Sequence, residues 1–274
     1  MLRVCQRWKP AASKITVPAE TRGALEFGMG MIPQARRLMS LTDLTSLNDT
    51  DDATSVRTLS ALARAAPVRP ATVCIWARWI PVALEALRGS GTPVCAVANF
   101  PSGAAAPEAA AAETAAAVAA GAIEVDVVFP YRAMLAGDLQ TGSRLVRACR
   151  ESCGEQALLK VILETGQLLD AENIRQAAEI AIDGGAHFLK TSTGKTQPGA
   201  TTEAAEILLD VIAAAGRRGR TVGFKASGGI RTIEDALVYL TLYEQRFGTG
   251  SASASNFRIG ASGLFKELVA AAGA

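Results

Sequence analysis

The feature that most limits how this chain can fold is an alternation of short β-branched segments with longer helical ones, which starts near residue 38. The short runs predict strands, whereas the stretches rich in alanine, glutamate and arginine have helical periodicity. We predict eight strands, at residues 41–47, 72–76, 94–98, 123–129, 158–163, 187–191, 221–225 and 257–260. The predicted helices lie at residues 53–66, 81–88, 107–120, 142–153, 171–183, 202–215, 233–245 and 265–272.

Eight strands, each followed by a helix, favour a single α/β domain, a (β/α)8 TIM barrel, over an open doubly wound sheet. The 274-residue chain is 49% hydrophobic, enough to bury one large core, and no shift in composition marks a second domain. We therefore expect a barrel over residues 26–274, preceded by an irregular N-terminal extension over residues 1–25.

Charge and cysteine content argue against several classes of function. A net charge of +2 is too small to predict a nucleic-acid or acidic-membrane surface, and no long uninterrupted apolar run suggests a membrane span. The five cysteines are odd in number and contain no C-x-x-C pair, so they predict neither a disulfide framework nor a zinc site. His187 is the only histidine and is expected to pack against the helices. We expect a cytoplasmic protein with a small-molecule partner and no metal or other cofactor.

Polar side chains occur at the ends of consecutive predicted strands, which is where barrel enzymes place their chemistry. They are Asp126 in the fourth strand, Lys160 and Glu164 in the fifth, Lys190 in the sixth and Lys225 in the seventh. Because polar groups inside apolar strands are costly to bury unless they are paired or used, this set predicts a functional site.

Two of these lysines are expected to be neighbours. Strand alternation puts Lys190 on the same face as Phe188, towards the barrel mouth, and Lys225 lies on the adjacent strand about 5 Å away. At an effective dielectric near 20, such ammonium groups repel by about 3 kcal/mol, or about two pKa units. One amine is then expected to be partly neutral near neutral pH, as attack on an aldehyde requires.

This arrangement predicts Schiff-base aldol chemistry on a small sugar phosphate, with Lys190 as the nucleophile. Asp126 would relay the hydroxyl proton with water, and Lys225 and Lys160 would complete the charge balance. A buried ion-pair network between strands is the alternative for the cluster. Asp126 alone could cap the following backbone, and Lys160 could serve only as a structural partner of Asp126 or Glu164.

Three glycine-containing turns follow the sixth, seventh and eighth strands: TGK at 193–195, SGGIRT at 227–232 and GASG at 260–263. Turns of this kind that enter helices leave backbone N–H groups free to hold a phosphate. We expect anion binding there. The alternative is that Gly228 and Gly229 only make a tight turn before a helix that starts at Arg231 and Thr232.

Six segments together resemble deoxyribose-phosphate aldolase, of the bacterial type close to the enterobacterial enzyme. They are LMSLTDLTSLND (38–49), EVDVVFPYRAMLAGD (124–138), LLKVILETG (158–166), FLKTSTGKT (188–196), TVGFKASGGIRT (221–232) and FRIGASGL (257–264). The resemblance implies a metal-independent class I aldolase that reversibly cleaves 2-deoxy-D-ribose 5-phosphate to D-glyceraldehyde 3-phosphate and acetaldehyde. It also makes a homodimer an expectation.

The resemblance implies roles for individual residues. Lys190 resembles the family's Schiff-base lysine, and Asp126 and Lys225 resemble its proton-transfer and lysine-perturbing partners. Further positions that match residues lining the family's site are Asp43, Lys160 and Thr193. Positions that match its phosphate site are Gly194, Lys195, Gly228, Gly229, Arg231, Gly260 and Ser262.

Two departures from the family pattern matter. Gly263 stands where the family usually has serine, so one phosphate-contacting hydroxyl is missing and weaker affinity is expected. No tyrosine follows Tyr243, whereas the enterobacterial form ends in a tyrosine that assists proton transfer, so we expect slower transfer or use of water. A related barrel aldolase for another sugar phosphate or a plain aldehyde, and a catalytically silent sugar-phosphate-binding barrel, remain the alternative functions.

Overall fold

The computed structural model describes residues 30–273, and the predicted extension over residues 1–25 lies outside the described residues. Every predicted strand is present, each pairs in parallel with the next, and the eighth closes on the first. The strands are β1 Thr42–Thr45, β2 Thr72–Trp76, β3 Val94–Ala98, β4 Glu124–Val128, β5 Leu158–Ile162, β6 Phe188–Lys190, β7 Gly223–Ser227 and β8 Phe257–Ala261. With helices between the strands, this closed parallel barrel is the (β/α)8, or TIM-barrel, fold that the sequence predicts.

The α-helices of the described residues surround the barrel. They are α1 Met31–Ser40, α2 Ala53–Ala65, α3 Ile80–Ala86, α4 Pro107–Ala119, α5 Tyr131–Leu135, α6 Leu139–Cys153, α7 Ala171–Asp183, α8 Thr202–Arg217, α9 Ile233–Phe247 and α10 Leu264–Ala271. None of them is both long and apolar enough to cross a membrane.

Two helices were not predicted from the sequence, and the bounds of several other elements differ from the prediction by one to three residues. Helix α1 contains Pro33, but at its third position, where the first turn of a helix tolerates proline. Helix α5 has five residues, too few to show a helical period. Strand β7 begins two residues later than predicted because pairing with β6 starts at Gly223, whose N–H donates to the carbonyl of His187 at 2.8 Å.

Side chains at the helix starts fix where several loops end. Asp52 accepts the Ser55 N–H at the start of α2, and Asp170 accepts the Asn173 N–H at the start of α7. Such caps satisfy backbone donors that the first turn leaves free. The large apolar core lies between the sheet and these helices. Inward-facing strand positions, in contrast, carry the charged side chains described next.

Candidate active site

The interior of the barrel holds a cluster of seven buried charged side chains. They are Asp43 on β1, Glu124 and Asp126 on β4, Lys160 on β5, Lys190 on β6, Lys225 on β7 and Arg258 on β8. The period of two along each strand places them on the inward face, so residues far apart in sequence meet inside the barrel.

Asp126 is the centre of this cluster. Its Oδ2 atom accepts from Nζ of Lys190 at 2.8 Å and from Nζ of Lys225 at 2.7 Å, and its Oδ1 atom accepts from Nζ of Lys160 at 2.7 Å. Burial alone would raise the pKa of Asp126, but the three ammonium groups outweigh it and hold that pKa well below its usual range. Asp126 is therefore a carboxylate at neutral pH.

Lys225 is fully buried between two carboxylates. It donates to Asp43 as well as to Asp126. Burial lowers the pKa of Lys225, yet Asp126 and Asp43 raise it to a net value above that of an ordinary lysine. Lys225 thus stays protonated, so it is not the partly neutral amine that the sequence predicts for one of the two lysines.

Lys190 differs from the other two lysines in its surroundings. It pairs in register with Lys225 across β6 and β7, as the sequence predicts. Its only ion pair among the described residues is with Asp126, and 2% of its surface is exposed, whereas Lys160 and Lys225 are fully buried. Lys190, the last residue of β6, is therefore the most exposed of the three.

Lys160 lies deeper in the barrel than Lys190, and its partners are mainly carboxylates. Its Nζ lies 2.6 Å from Glu124 and 2.7 Å from Asp126, so it pairs with Asp126 and not with Glu164. Burial lowers the pKa of Lys160, but Asp126 leads the groups that raise it well above the usual lysine value. Lys160 and Asp43, like Asp126, Lys190 and Lys225, lie in the barrel interior and do not line the cleft described below.

Arg258 and Glu124 complete the cluster and escaped the sequence prediction. Nη2 of Arg258 lies 2.8 Å from Glu124 Oε1, and Nη1 lies 2.6 Å from Asp43 Oδ1. The guanidinium also lies over the Phe188 ring, 5.5 Å from its centroid. Both residues are charged positions inside otherwise apolar strands, so the rule that selected Asp126 could have found them.

A cavity of about 280 Å³ opens at the carboxyl ends of the strands, above the charged cluster. Thr193 and all the predicted phosphate-binding residues line it: Gly194, Lys195, Gly228, Gly229, Arg231, Gly260 and Ser262. The end of β1 and the loop after it supply a further wall formed by Thr45, Ser46, Leu47 and Asn48, none of which was assigned to the site from the sequence.

The turns around this cavity carry backbone donors that are not used inside the protein. Within residues 30–273, the N–H groups of Gly194, Gly228, Gly229 and Ser262 have no hydrogen-bond acceptor. Amides of this kind at the strand ends of a barrel form an anion-binding surface. The carbonyl of Gly228 would lie 2.4 Å from a Cβ at Gly199, so only glycine allows these loops to pack so closely.

Other candidate groups lie away from this chemistry or are already occupied. Cys74, Cys95 and Asp126 are close enough to share a metal ion, but Nζ of Lys160 lies 3.2 Å from the Cys95 sulfur and 2.7 Å from Asp126. A cation there would have to displace this ammonium group. His187 is half-buried, and its Nδ1 accepts the N–H of Leu159, so it does not reach the cluster.

The fold and the site define a barrel protein that combines a buried amine–carboxylate cluster with a cleft of free backbone amides, the candidate anion cleft, at the strand ends. A model of the DeoC/LacD family aldolases matches residues 37–254, and the chain belongs to that family of aldolases.

Solved structures agree with this family. A protein of Toxoplasma gondii, provisionally named a deoxyribose-phosphate aldolase, is 25% identical with a TM-score of 0.81, over 87% of this chain and 94% of that one. A Coccidioides immitis protein with the same provisional name is 30% identical with a TM-score of 0.73, over 85% and 86% of the two chains. Deoxyribose phosphate aldolase from Aeropyrum pernix shares the fold, with 24% identity, a TM-score of 0.66 and coverage of 86% and 96%.

Proposed function

We propose that this aldolase is of class I and cleaves 2-deoxy-D-ribose 5-phosphate reversibly to D-glyceraldehyde 3-phosphate and acetaldehyde, with Lys190 forming the Schiff base. The observation that carries the proposal is that the end of β6 holds both the candidate nucleophile and a turn of the candidate phosphate site. Lys190 ends β6 with its amine 2.8 Å from Asp126, and the turn that follows, residues 193–195, enters the anion cleft. The names given to the relatives from Toxoplasma gondii and Coccidioides immitis support the same substrate.

The cleft would hold the phosphate and thereby place the aldehyde carbon at the amine. Free amides of Gly194, Gly229 and Ser262 would donate to the phosphate oxygens, and Lys195 and Arg231 would supply positive charge. Holding the two reacting groups together removes much of the entropic barrier to the addition.

The bond changes follow from amine chemistry. Lys190, as the free amine, adds to the C1 aldehyde, and loss of water gives an iminium. Removal of the C3 hydroxyl proton breaks the C2–C3 bond, releases D-glyceraldehyde 3-phosphate and leaves the electron pair on C2 as an enamine. Protonation at C2 and hydrolysis then release acetaldehyde and regenerate the amine.

Asp126 and its neighbours would manage the protons in this sequence. Lys160 and Lys225 keep Asp126 ionised, so we assign it the task of ordering the water that carries the proton to and from the substrate. Lys225 stays charged and stabilises the carboxylate whenever Lys190 is neutral.

Borohydride reduction in the presence of acetaldehyde, followed by peptide mass mapping, tests the nucleophile. We expect an N-ethyl group on Lys190, and no adduct in Lys190→Ala. Lys195→Met is the matched control, because it removes a lysine of the cleft and should leave the acetaldehyde adduct in place. Failure of the wild-type protein to form the adduct on Lys190 would contradict the proposal.

A related barrel aldolase that acts on another sugar phosphate or a plain aldehyde is the second candidate, and Gly263 in the cleft favours it. Kinetics on a panel of phosphorylated and plain aldehydes separates the two candidates, and a catalytically silent binding barrel would turn over none of them. Similarity to the enterobacterial type, a cytoplasmic location, a homodimer and independence of metal and cofactor stay predictions from the sequence.

A further inference from the structure

Glu164, just beyond the end of β5, is a buried carboxyl group outside the charged cluster. Its side chain is fully buried, and among residues 30–273 it forms no ion pair with a lysine, arginine or histidine. Its backbone has φ 56° and ψ 53°, in the left-handed region that residues other than glycine rarely adopt. Burial of a carboxyl group without a cation and a left-handed backbone are both costly, and such costs concentrate at functional sites.

The partner of Glu164 is a residue of the anion cleft. Oε1 of Glu164 accepts the backbone N–H of Thr193 at 3.1 Å, and Oε2 accepts the Thr193 hydroxyl at 2.6 Å. Because this hydroxyl donates its hydrogen bond to Glu164, its oxygen is left as an acceptor. That oxygen accepts the backbone N–H of Lys195 at 3.0 Å, so the three residues form one hydrogen-bonded chain.

Further contacts join the Glu164 turn to both ends of the β6 loop. The N–H of Thr165 donates to the carbonyl of Thr191 at 2.9 Å, and the side-chain amide of Gln167 donates to the carbonyl of Gln197 at 2.9 Å. A Cβ at Gly166 would lie 2.2 Å from the carbonyl oxygen of Pro198, so the two loops are in close contact. These contacts hold both ends of the β6 loop. The contacts of the Glu164 side chain lie between them, in the turn at 193–195.

We infer that Glu164 is a positioning residue for the phosphate end of the substrate, acting through Thr193 and the turn at 193–195. By accepting the hydrogen bond of the Thr193 hydroxyl it directs that oxygen to the Lys195 N–H, and it leaves the Gly194 N–H as the free donor of the turn. This inference rests on the proposed function, because it assigns the cleft to a phosphate group.

Steady-state kinetics of Glu164→Gln with 2-deoxyribose 5-phosphate and with unphosphorylated 2-deoxyribose tests the inference. The glutamine side chain keeps one acceptor oxygen but carries an NH2 donor in place of the other, so one of the two bonds from Thr193 is lost. We expect KM for the phosphate ester to rise about tenfold, which is the effect of losing one hydrogen bond to a charged acceptor. KM for deoxyribose should rise clearly less. Glu151→Gln, which removes an exposed carboxylate at the far end of α6, is the matched control and should change neither substrate's kinetics.

Variants of Thr193 test whether Glu164 acts on substrate binding through Thr193. They also provide a test if Glu164→Gln does not fold. Thr193→Val removes the hydroxyl and should raise KM for the phosphate ester to a similar extent. Thr193→Ser keeps the hydroxyl and should raise this KM less. The double variant Glu164→Gln, Thr193→Val should be no worse than the poorer single variant, because both break the same chain. Equal losses on the two substrates, or additive losses in the double variant, would overturn the inference.

Binding of inorganic phosphate, measured by calorimetry without turnover, separates this inference from the proposed function. If the wild-type protein binds phosphate and Glu164→Gln binds it about tenfold more weakly, the positioning role holds even if deoxyribose phosphate is not cleaved. If the two proteins bind phosphate equally, or if neither binds it, the positioning role is wrong even if cleavage is confirmed.

Discussion

The ammonium groups of Lys190 and Lys225 share one acceptor, because Nζ of each lies within 2.8 Å of Oδ2 of Asp126. Register pairing of β6 and β7 brings the two lysines together, and the carboxylate lies against both. The repulsion between the ammonium groups, about 3 kcal/mol at a separation near 5 Å, is thus offset by an attraction to the same oxygen. A change in any one of these three side chains should therefore change the electrostatic interactions of the other two.

Lys225→Leu should move the acidic limb of the pH profile of kcat/KM to higher pH. The substitution removes the fixed positive charge that favours loss of the proton from the nucleophile, so a higher pH is needed to obtain the free amine. The measurement is the rate of deoxyribose phosphate cleavage over a range of pH. Lys195→Met, which removes a lysine of the exposed cleft, should weaken substrate binding without moving the limb, and an unmoved limb in Lys225→Leu would contradict the argument.

Asp126→Asn should impair both catalysis and folding. We expect kcat to fall by about 10²-fold or more, because the carboxylate that orders the proton-carrying water is lost. Removal of one partner of a buried ion pair should also lower the free energy of unfolding by about 3–5 kcal/mol. Kinetics and urea denaturation measure the two effects.

Asp210→Asn is the control for Asp126→Asn, because Asp210 forms an exposed ion pair with Arg246. Loss of a surface pair should lower the free energy of unfolding by no more than about 1 kcal/mol. If Asp126→Asn were as stable and as active as this control, neither role of Asp126 would stand.

The stability of the protein should fall at acid pH because of Asp43 and Asp126. Both carboxyl groups have a pKa below the ordinary value in the folded protein: burial would raise each, but neighbouring cations lower it. Their stabilisation is fully present above the pKa of the unfolded chain, about 3.9, and is lost as the pH falls below it towards the folded pKa.

Urea denaturation at several pH values tests this acid dependence. Asp43→Asn should flatten the dependence below about pH 4, where the wild-type protein loses stability most steeply. Asp49→Asn, at a side chain that is 88% exposed, should keep the wild-type dependence. Equal slopes for the two variants would show that Asp43 does not contribute.

Gly263→Ser should improve binding of the phosphate ester. A Cβ at Gly263 would meet no other atom within 4 Å, and the residue lines the cleft with a backbone that any residue adopts. One additional hydroxyl donor should lower KM for deoxyribose phosphate by about two- to tenfold. Parallel kinetics with unphosphorylated deoxyribose should show no such gain, and a gain of the same size there would mean that the hydroxyl does not act on the phosphate.

Alternating patterns were enough to predict the barrel and much of the candidate site. The eight strands were predicted because each is a short apolar run, and Lys190, Lys225 and Asp126 were singled out because charge inside such a run is unusual. Strand register then follows from closure of the barrel, which brings those residues together. The carboxylate partners that keep Lys225 protonated could not be predicted, because they come from distant strands and no local pattern shows such contacts.

The contact between Glu164 and Thr193 could not be predicted for a different reason. It depends on a left-handed backbone at Glu164, a conformation that the sequence does not signal because the residue is not glycine. Helix α5 was missed because it is a single short turn after Pro130, below the length at which periodicity is visible.

The seven charged groups of the barrel interior comprise four cations and three carboxylates, which leaves one positive charge in excess while every lysine is protonated. In the proposed reaction Lys190 gives up its proton to become the nucleophile, and the interior then becomes electrically neutral. The iminium of the proposed reaction restores the positive charge at the same nitrogen, and the enamine removes it again. In the proposed reaction the barrel interior therefore has to accommodate two states that differ by one unit of charge at a single nitrogen.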